Sequence, residues 1–128
     1  MALVRSRDTK PEMRIRSLLH SLGYRFRVRG LDLLGHPDVV FIPRRKAIFV
    51  HGCFWHRHPG CSRTRTPKSR IEFWEAKFNR NVDRDAEVRH GLTAMDWEMF
   101  VVWECETERI CELRPRLVDF LGETREVD

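Results

Sequence analysis

The 128-residue chain is 41% hydrophobic and 34% charged, the length and apolar share of one globular domain, 1–128, rather than two. Its longest apolar run, Met99 to Trp103, falls far short of the ~20 residues of a membrane helix. Met1 to Val4 lead directly into Arg5 and Arg7 with no apolar signal core, which argues against secretion and membrane anchoring.

Charge is unevenly spread. The net +5 is the sum of +6 over residues 1–30, −2 over 31–43, +8 over 44–70 and −7 over 71–128, and 20 of the 24 cations are arginine. A planar guanidinium pairs well with phosphate oxygens, so a polyanion partner, most commonly nucleic acid, stands against a merely solvated basic surface.

Thr9-Lys10-Pro11-Glu12 has capping-box spacing with a proline tolerated in the first turn, which predicts a helix start. Ile15, Leu18, Leu19 and Leu22 form its buried stripe and Gly23 its left-handed end. Tyr24, Phe26 and Val28 then alternate with Arg25, Arg27 and Arg29, the pattern of a half-buried strand with one basic face. After a turn-rich Leu31 to Pro37, Val39 to Ile42 and Ala47 to Val50 flank Pro43-Arg44-Arg45-Lys46 and predict an antiparallel hairpin of two central strands. His51 to Ser69 has neither helical nor strand period. Ser69-Arg70-Ile71-Glu72 reads as a second capping box, with Ile71, Trp74, Phe78 and Val82 as the inner stripe of a helix reaching about His90. Glu98 to Trp103 is the last core strand, and Thr107 to Leu121 a terminal helix interrupted or started afresh near Pro115. Strands alternating with helices predict an α/β fold, a mixed sheet flanked by helices.

Two constellations carry chemistry. Cys53, His58 and Cys61 lie close in sequence and Cys105 ends the last strand; thiolates and imidazole are the ligands zinc prefers, while a disulfide or buried free thiols are the other readings. His51 and His56 compete with His58, which spacing favours because it can return from a longer turn. Cys111 is left over as a small core residue. The second constellation is Gly35-His36-Pro37-Asp38, which sets a carboxylate at the mouth of a buried strand whose neighbour ends at Val50-His51. That is the skeleton of a restriction-endonuclease-like (PD-(D/E)XK-type) fold, against a turn-capping aspartate.

Phe49-Val50-His51-Gly52-Cys53-Phe54-Trp55-His56, Glu72-Phe73-Trp74 and Val102-Trp103-Glu104-Cys105, with Arg7 to Glu12 and Gly35 to Asp38 in order, strongly resemble the very-short-patch-repair (Vsr) DNA mismatch endonucleases. The resemblance implies Mg²⁺-dependent nicking 5′ of the thymine in a T:G mismatch, left by deamination of 5-methylcytosine at sites of a companion DNA cytosine-5 methyltransferase. It implies Asp38 and the Val50 backbone carbonyl as Mg²⁺ ligands, His56 activating the attacking water, and His51 stabilising developing charge with help from Glu12. It further implies structural Zn²⁺ on Cys53, His58, Cys61 and Cys105, the Pro59-Gly60 turn absorbing one residue more than some relatives have. Phe54, Trp55 and Trp74 become wedges in the base stack, with Trp74 at the edge of the core, and Arg5 and Arg7 DNA contacts. Little chain precedes Arg5, so clamping by an N-terminal arm is expected to be reduced. A monomer in the cytoplasm, associated with the nucleoid, follows. Two alternatives stay open: a homing or restriction-type enzyme of the same fold, and a non-catalytic zinc-stapled binder of distorted DNA.

Overall fold

The computed structural model describes residues 9–28 and 33–122; Arg5, Arg7 and Arg29 lie outside them. Helix α1 spans Lys10–Ser21, with Thr9 as N-cap accepting the Glu12 N–H at 3.4 Å and Gly23 in the left-handed region beyond its end (φ 90°). Strands β1 (Val39–Phe41) and β2 (Lys46–His51) form the expected hairpin, and β3 (Glu98–Trp103) adds in parallel on the far side of β2. The register runs Val39↔Ile48 across the hairpin and Lys46↔Glu98 to His51↔Trp103 across the parallel pair.

The result is a mixed α/β architecture with a three-stranded sheet, order β1-β2-β3, and helices on both faces. Because side chains alternate along a strand, β2 serves two cores. Ile48 faces Ile15, Leu19, Leu113 and Leu117 from α1 and α4 (Ile110–Leu121), whereas Ala47 and Phe49 face Val88, Leu92 and Trp97 around α3 (Ile71–Ala94). Each fully buried Leu or Ile contributes about 1.5–3 kcal/mol relative to exposure. Among the described residues no helix is long and apolar enough to cross a membrane.

Several local expectations differ from the structure. Only β2 is central, because the Tyr24 to Val28 segment pairs with β1 at a single bridge, Arg27↔Val40, instead of a full strand. Its alternation survives, with Tyr24 buried and Arg25 and Arg27 exposed. Within His51 to Ser69 a short helix forms, α2 (Cys53–His56). The second capping box does not form: Arg70 stands at the N-cap in a left-handed conformation with no side-chain cap. Ile71 and Val82 are exposed, and α3 turns Trp74, Phe78, Asn81, Asp85, Val88 and Leu92 inward instead. Residues Glu104–Glu108 make a 3-10 turn, after which α4 runs on through Pro115. The carbonyl four residues before that proline, which loses its N–H donor, belongs to exposed Cys111 and so is not a buried orphan. Cys111 is not a core residue, since it lies off the Leu113, Leu117 and Leu121 stripe that α4 buries.

Candidate active site and metal cluster

Asp38 is delivered to the sheet by a tight approach. Gly35 has φ +81°, and a Cβ there would stand 2.6 Å from Val88 Cγ1, so the loop can lie against α3 only with glycine at this position. The Asp38 N–H donates to the Ile48 carbonyl at 3.0 Å, and its carboxylate Oδ2 accepts the Val50 N–H at 2.6 Å. Glu12 of α1, 6% exposed, brings a second carboxyl within hydrogen-bonding reach of the first. Only half of the capping box therefore forms, with the Glu12 side chain turned to Asp38 and to Arg16, 3.5 Å away. Burial, reinforced by the charge and hydrogen bond of Glu12 and opposed by the Val50 N–H, pushes Asp38 up to about 7.

Two histidines face this pair across a cleft of about 250 Å³ lined by Gly35, Asp38, Val50, His51, His56 and Asp85 among others. His51, the buried last residue of β2, and His56, the last of α2, stack with ring centroids 3.9 Å apart and planes 7° from parallel. His56 Nδ1 lies 2.7 Å from Asp85 Oδ2. Since a carboxylate only accepts, Nδ1 carries the proton in this contact, and in the neutral ring that tautomer makes Nε2 the lone-pair acceptor. Burial first, and then His56, hold His51 down to about 4, with Asp85 opposing. His51 is thus a neutral imidazole at physiological pH.

Cys53, His58, Cys61 and Cys105 converge beside this cleft, their ligand atoms all within 4.8 Å of one another. The Cys53 and Cys105 sulfurs each lie 3.6 Å from His58 Nδ1. A tetrahedron with Zn–S near 2.3 Å and Zn–N near 2.0 Å has an S···N edge of about 3.5 Å, so the spacing is that of a closed Cys₃His site. Burial and contact with the other thiols push Cys53 up to about 12. Gly60, with φ 73°, makes the turn that lets Cys61 N–H reach the His58 carbonyl at 3.3 Å. Thr64 Oγ1 closes the loop, donating to the carbonyls of Cys53 at 3.2 Å and His58 at 2.7 Å.

An aromatic patch borders the cleft. Phe54 and Trp55 of α2 and Trp74 of α3 are half-buried and mutually in contact, with centroid distances of 5.0, 5.9 and 6.1 Å, over buried Phe78. Trp74 sits at the edge of the core, as expected. The Arg57 guanidinium lies 3.9 Å from the Phe78 centroid and donates to the Phe54 carbonyl at 3.3 Å, bracing the patch from beneath.

The sequence-derived residues Asp38, Val50, His51 and His56 come together at the cleft with Glu12 behind Asp38, and the four expected zinc ligands at the second site. Asp85 and Asn81 were missed. Both sit on the inward stripe of α3, and the signal was there: two polar residues interrupting a run of inward positions spaced three and four apart.

Residues 1–63 match the family model described as DNA mismatch endonuclease Vsr. The chain is 49% identical over 121 residues to the type II nicking enzyme V.XorIIP of Xanthomonas oryzae pv. oryzae, covering 94% of this chain and 88% of the relative. It is 34% identical over 126 residues to V.NmeAIP of Neisseria meningitidis, covering 98% and 89%. With DNA mismatch endonuclease Vsr of Escherichia coli K12 it shares 43% identity over 105 residues, covering 82% and 67%.

Proposed function

The chain belongs to the DNA mismatch endonuclease Vsr family, and from that premise we propose that it nicks one strand of duplex DNA 5′ of the thymine in a T:G mismatch, with Mg²⁺ as cofactor. One observation carries the reading: a single cleft holds a buried carboxyl, Asp38, backed by Glu12, together with two stacked imidazoles and beside a half-exposed aromatic patch. Relatives named as nicking enzymes favour cleavage of one strand over two.

Two adjacent buried carboxyls in an open polar cleft fit a hard divalent cation, which takes oxygen ligands and keeps several waters. Asp38 would hold Mg²⁺. The Val50 carbonyl would join it, since a strand residue directs its N–H and C=O to the same side and the Val50 N–H already meets Asp38. Bound there, the ion supplies charge neutralisation at the scissile phosphate. His56 Nε2 takes the proton of the attacking water, and Asp85 fixes the tautomer that makes this possible. Neutral His51 offers a hydrogen bond where charge develops, with Glu12 setting the protonation of Asp38 behind it. Cys53, His58, Cys61 and Cys105 fit structural Zn²⁺, and the PD-(D/E)XK-type arrangement is the fold reading that goes with this cleft.

Phe54, Trp55 and Trp74 act as the wedge. Unstacking is least costly at a mispair, so wedging contributes selectivity as well as affinity. Arg5 and Arg7 would contact phosphates. The protein works as a single-domain monomer in the cytoplasm, on mismatches left at the sites of a DNA cytosine-5 methyltransferase. The test is a Mg²⁺-dependent cleavage assay on a T:G duplex and its fully paired counterpart. One nick in the T strand is expected; equal cutting of paired DNA overturns the mismatch specificity. Cutting of both strands at a paired site would mark a restriction-type enzyme instead, and binding without cutting a recognition module.

A further inference from the structure

Trp55 and His56 are consecutive residues in α2, and a single face of α3 holds both. Asn81 Nδ2 donates to the Trp55 carbonyl at 3.2 Å, and one turn further along Asp85 meets the His56 imidazole at 2.7 Å. A four-residue helix leaves its carbonyls without partners inside the helix. That of Phe54 is taken by Arg57, the residue that ends α2 itself, so this bond travels with α2. The Asn81 bond is of another kind, because it ties the backbone of a wedge residue to a different element.

We propose that Asn81 is a positioning residue for mismatch selectivity: by fixing the Trp55 peptide to the same helix face that holds His56, it makes seating of Trp55 in the base stack set the angle of the His56 imidazole. This rests on the reading above of Trp55 as wedge and His56 as base. The rings of Phe54 and Trp55 also pack on Trp74 and Phe78 of α3, contacts that can slide, whereas two directional hydrogen bonds one helical turn apart, about 6 Å, define an orientation. With Asn81 present, α2 answers a push on Trp55 as a rigid body referenced to α3. Without it, a push on Trp55 is taken up between the Trp55 peptide and the α3 face and no longer reaches the imidazole, which stays on Asp85. The amide also sits where packing calls for an apolar side chain, between Phe78 and Val88 on the inward stripe, and its partner there is the Trp55 carbonyl.

The test measures single-turnover nicking of a T:G duplex and background nicking of the paired duplex for wild type, Asn81→Ala, Trp55→Ala and the double variant, with Kd for the T:G duplex. Asn81→Ala is expected to slow the mismatched reaction on the order of tenfold, leaving Kd and the paired background within about threefold, so that discrimination falls. In the Trp55→Ala background, removing Asn81 should lower discrimination no further. A purely structural role would slow both duplexes alike. Equal losses on both, or losses that multiply in the double variant, overturn the proposal. If Asn81→Ala does not fold, Asn81→Asp, which sets a carboxylate against the same carbonyl, takes its place under the same criteria. A wild type with no preference for the mismatch overturns the functional reading and this inference with it, whereas a discriminating wild type with an unaffected variant overturns this inference alone.

Discussion

Two polar clusters lie within a few residues of α2, and they are built in opposite ways. In the Cys53, His58, Cys61 and Cys105 cluster the donor atoms point at one another, three of them sulfur. In the His51, His56 and Asp85 cluster the ligand atoms also lie within 4.8 Å of one another, but the two rings lie face to face, the set holds nitrogen and oxygen with no sulfur, and it lines an open cleft that also holds Asp38. Closed soft-donor sets hold structure together; open mixed sets do chemistry. Trp103 joins the two, stacking on His58 at 4.3 Å and meeting His51 edge-on at 5.4 Å. The closed cluster therefore buttresses the open one through this indole as well as through α2, which carries both Cys53 and His56.

The sharpest way to separate the clusters is to remove chemistry from one and order from the other. Asp38→Ala should reduce Mg²⁺-dependent nicking by about 10³-fold or more while leaving Tm and T:G duplex binding near wild type, because the loss falls on stabilisation of the transition state. Residual activity above one per cent would remove Asp38 from the centre of the mechanism. Cys105→Ser should act in the reverse order. It should lower Tm on the order of 10 °C and release bound metal, with loss of nicking following from an unseated Trp103. An unchanged Tm with full metal content would show that the cluster is not a metal staple. Asp85→Asn should be milder, since geometry is kept and only the tautomer of His56 is released. A fall in kcat of about 10 to 100-fold with unchanged metal content and unchanged duplex affinity is expected. A change in affinity with kcat intact would mean that Asp85 serves binding.

The same contrast explains what the sequence made legible. Helix α1, β2 and β3 followed directly from apolar periodicity and the Thr9 cap, because each packs against a continuous core. The stripe of α3 was displaced by one position at Val82, where the helix packs on the four-residue α2 through Trp74 and Phe78. Asn81 and Asp85, whose partners are a backbone carbonyl and an imidazole, occupy the inward positions instead. Local signals failed where a tertiary partner outbid them. Glu12 left its capping role for Asp38, and Arg70 took a left-handed turn where Ser69 was expected to cap. The Cys and His ligands were legible as types, but their convergence needed β2, α2 and the 3-10 turn to meet.

The carboxyl pair gives the smallest and most specific contrast. Asp38 is raised from 3.8 to about 7, chiefly by burial. An acid whose folded value is raised contributes stability that is complete below its unfolded value and is lost as pH rises through the folded one. Without divalent metal, then, wild type should lose stability between pH 5.5 and 7.5 relative to Asp38→Asn, which mimics the neutral acid, by about 1 to 2 kcal/mol. Added Mg²⁺ should flatten that difference in wild type, because a cation beside the carboxylate favours its charged form, and should leave Asp38→Asn unmoved. Denaturant titrations at the two pH values, with and without Mg²⁺, measure this. A wild type as insensitive to pH as the variant would mean that Asp38 is already ionised in the folded protein, and that the cleft, like the thiol cluster, needs no hard cation to relieve it.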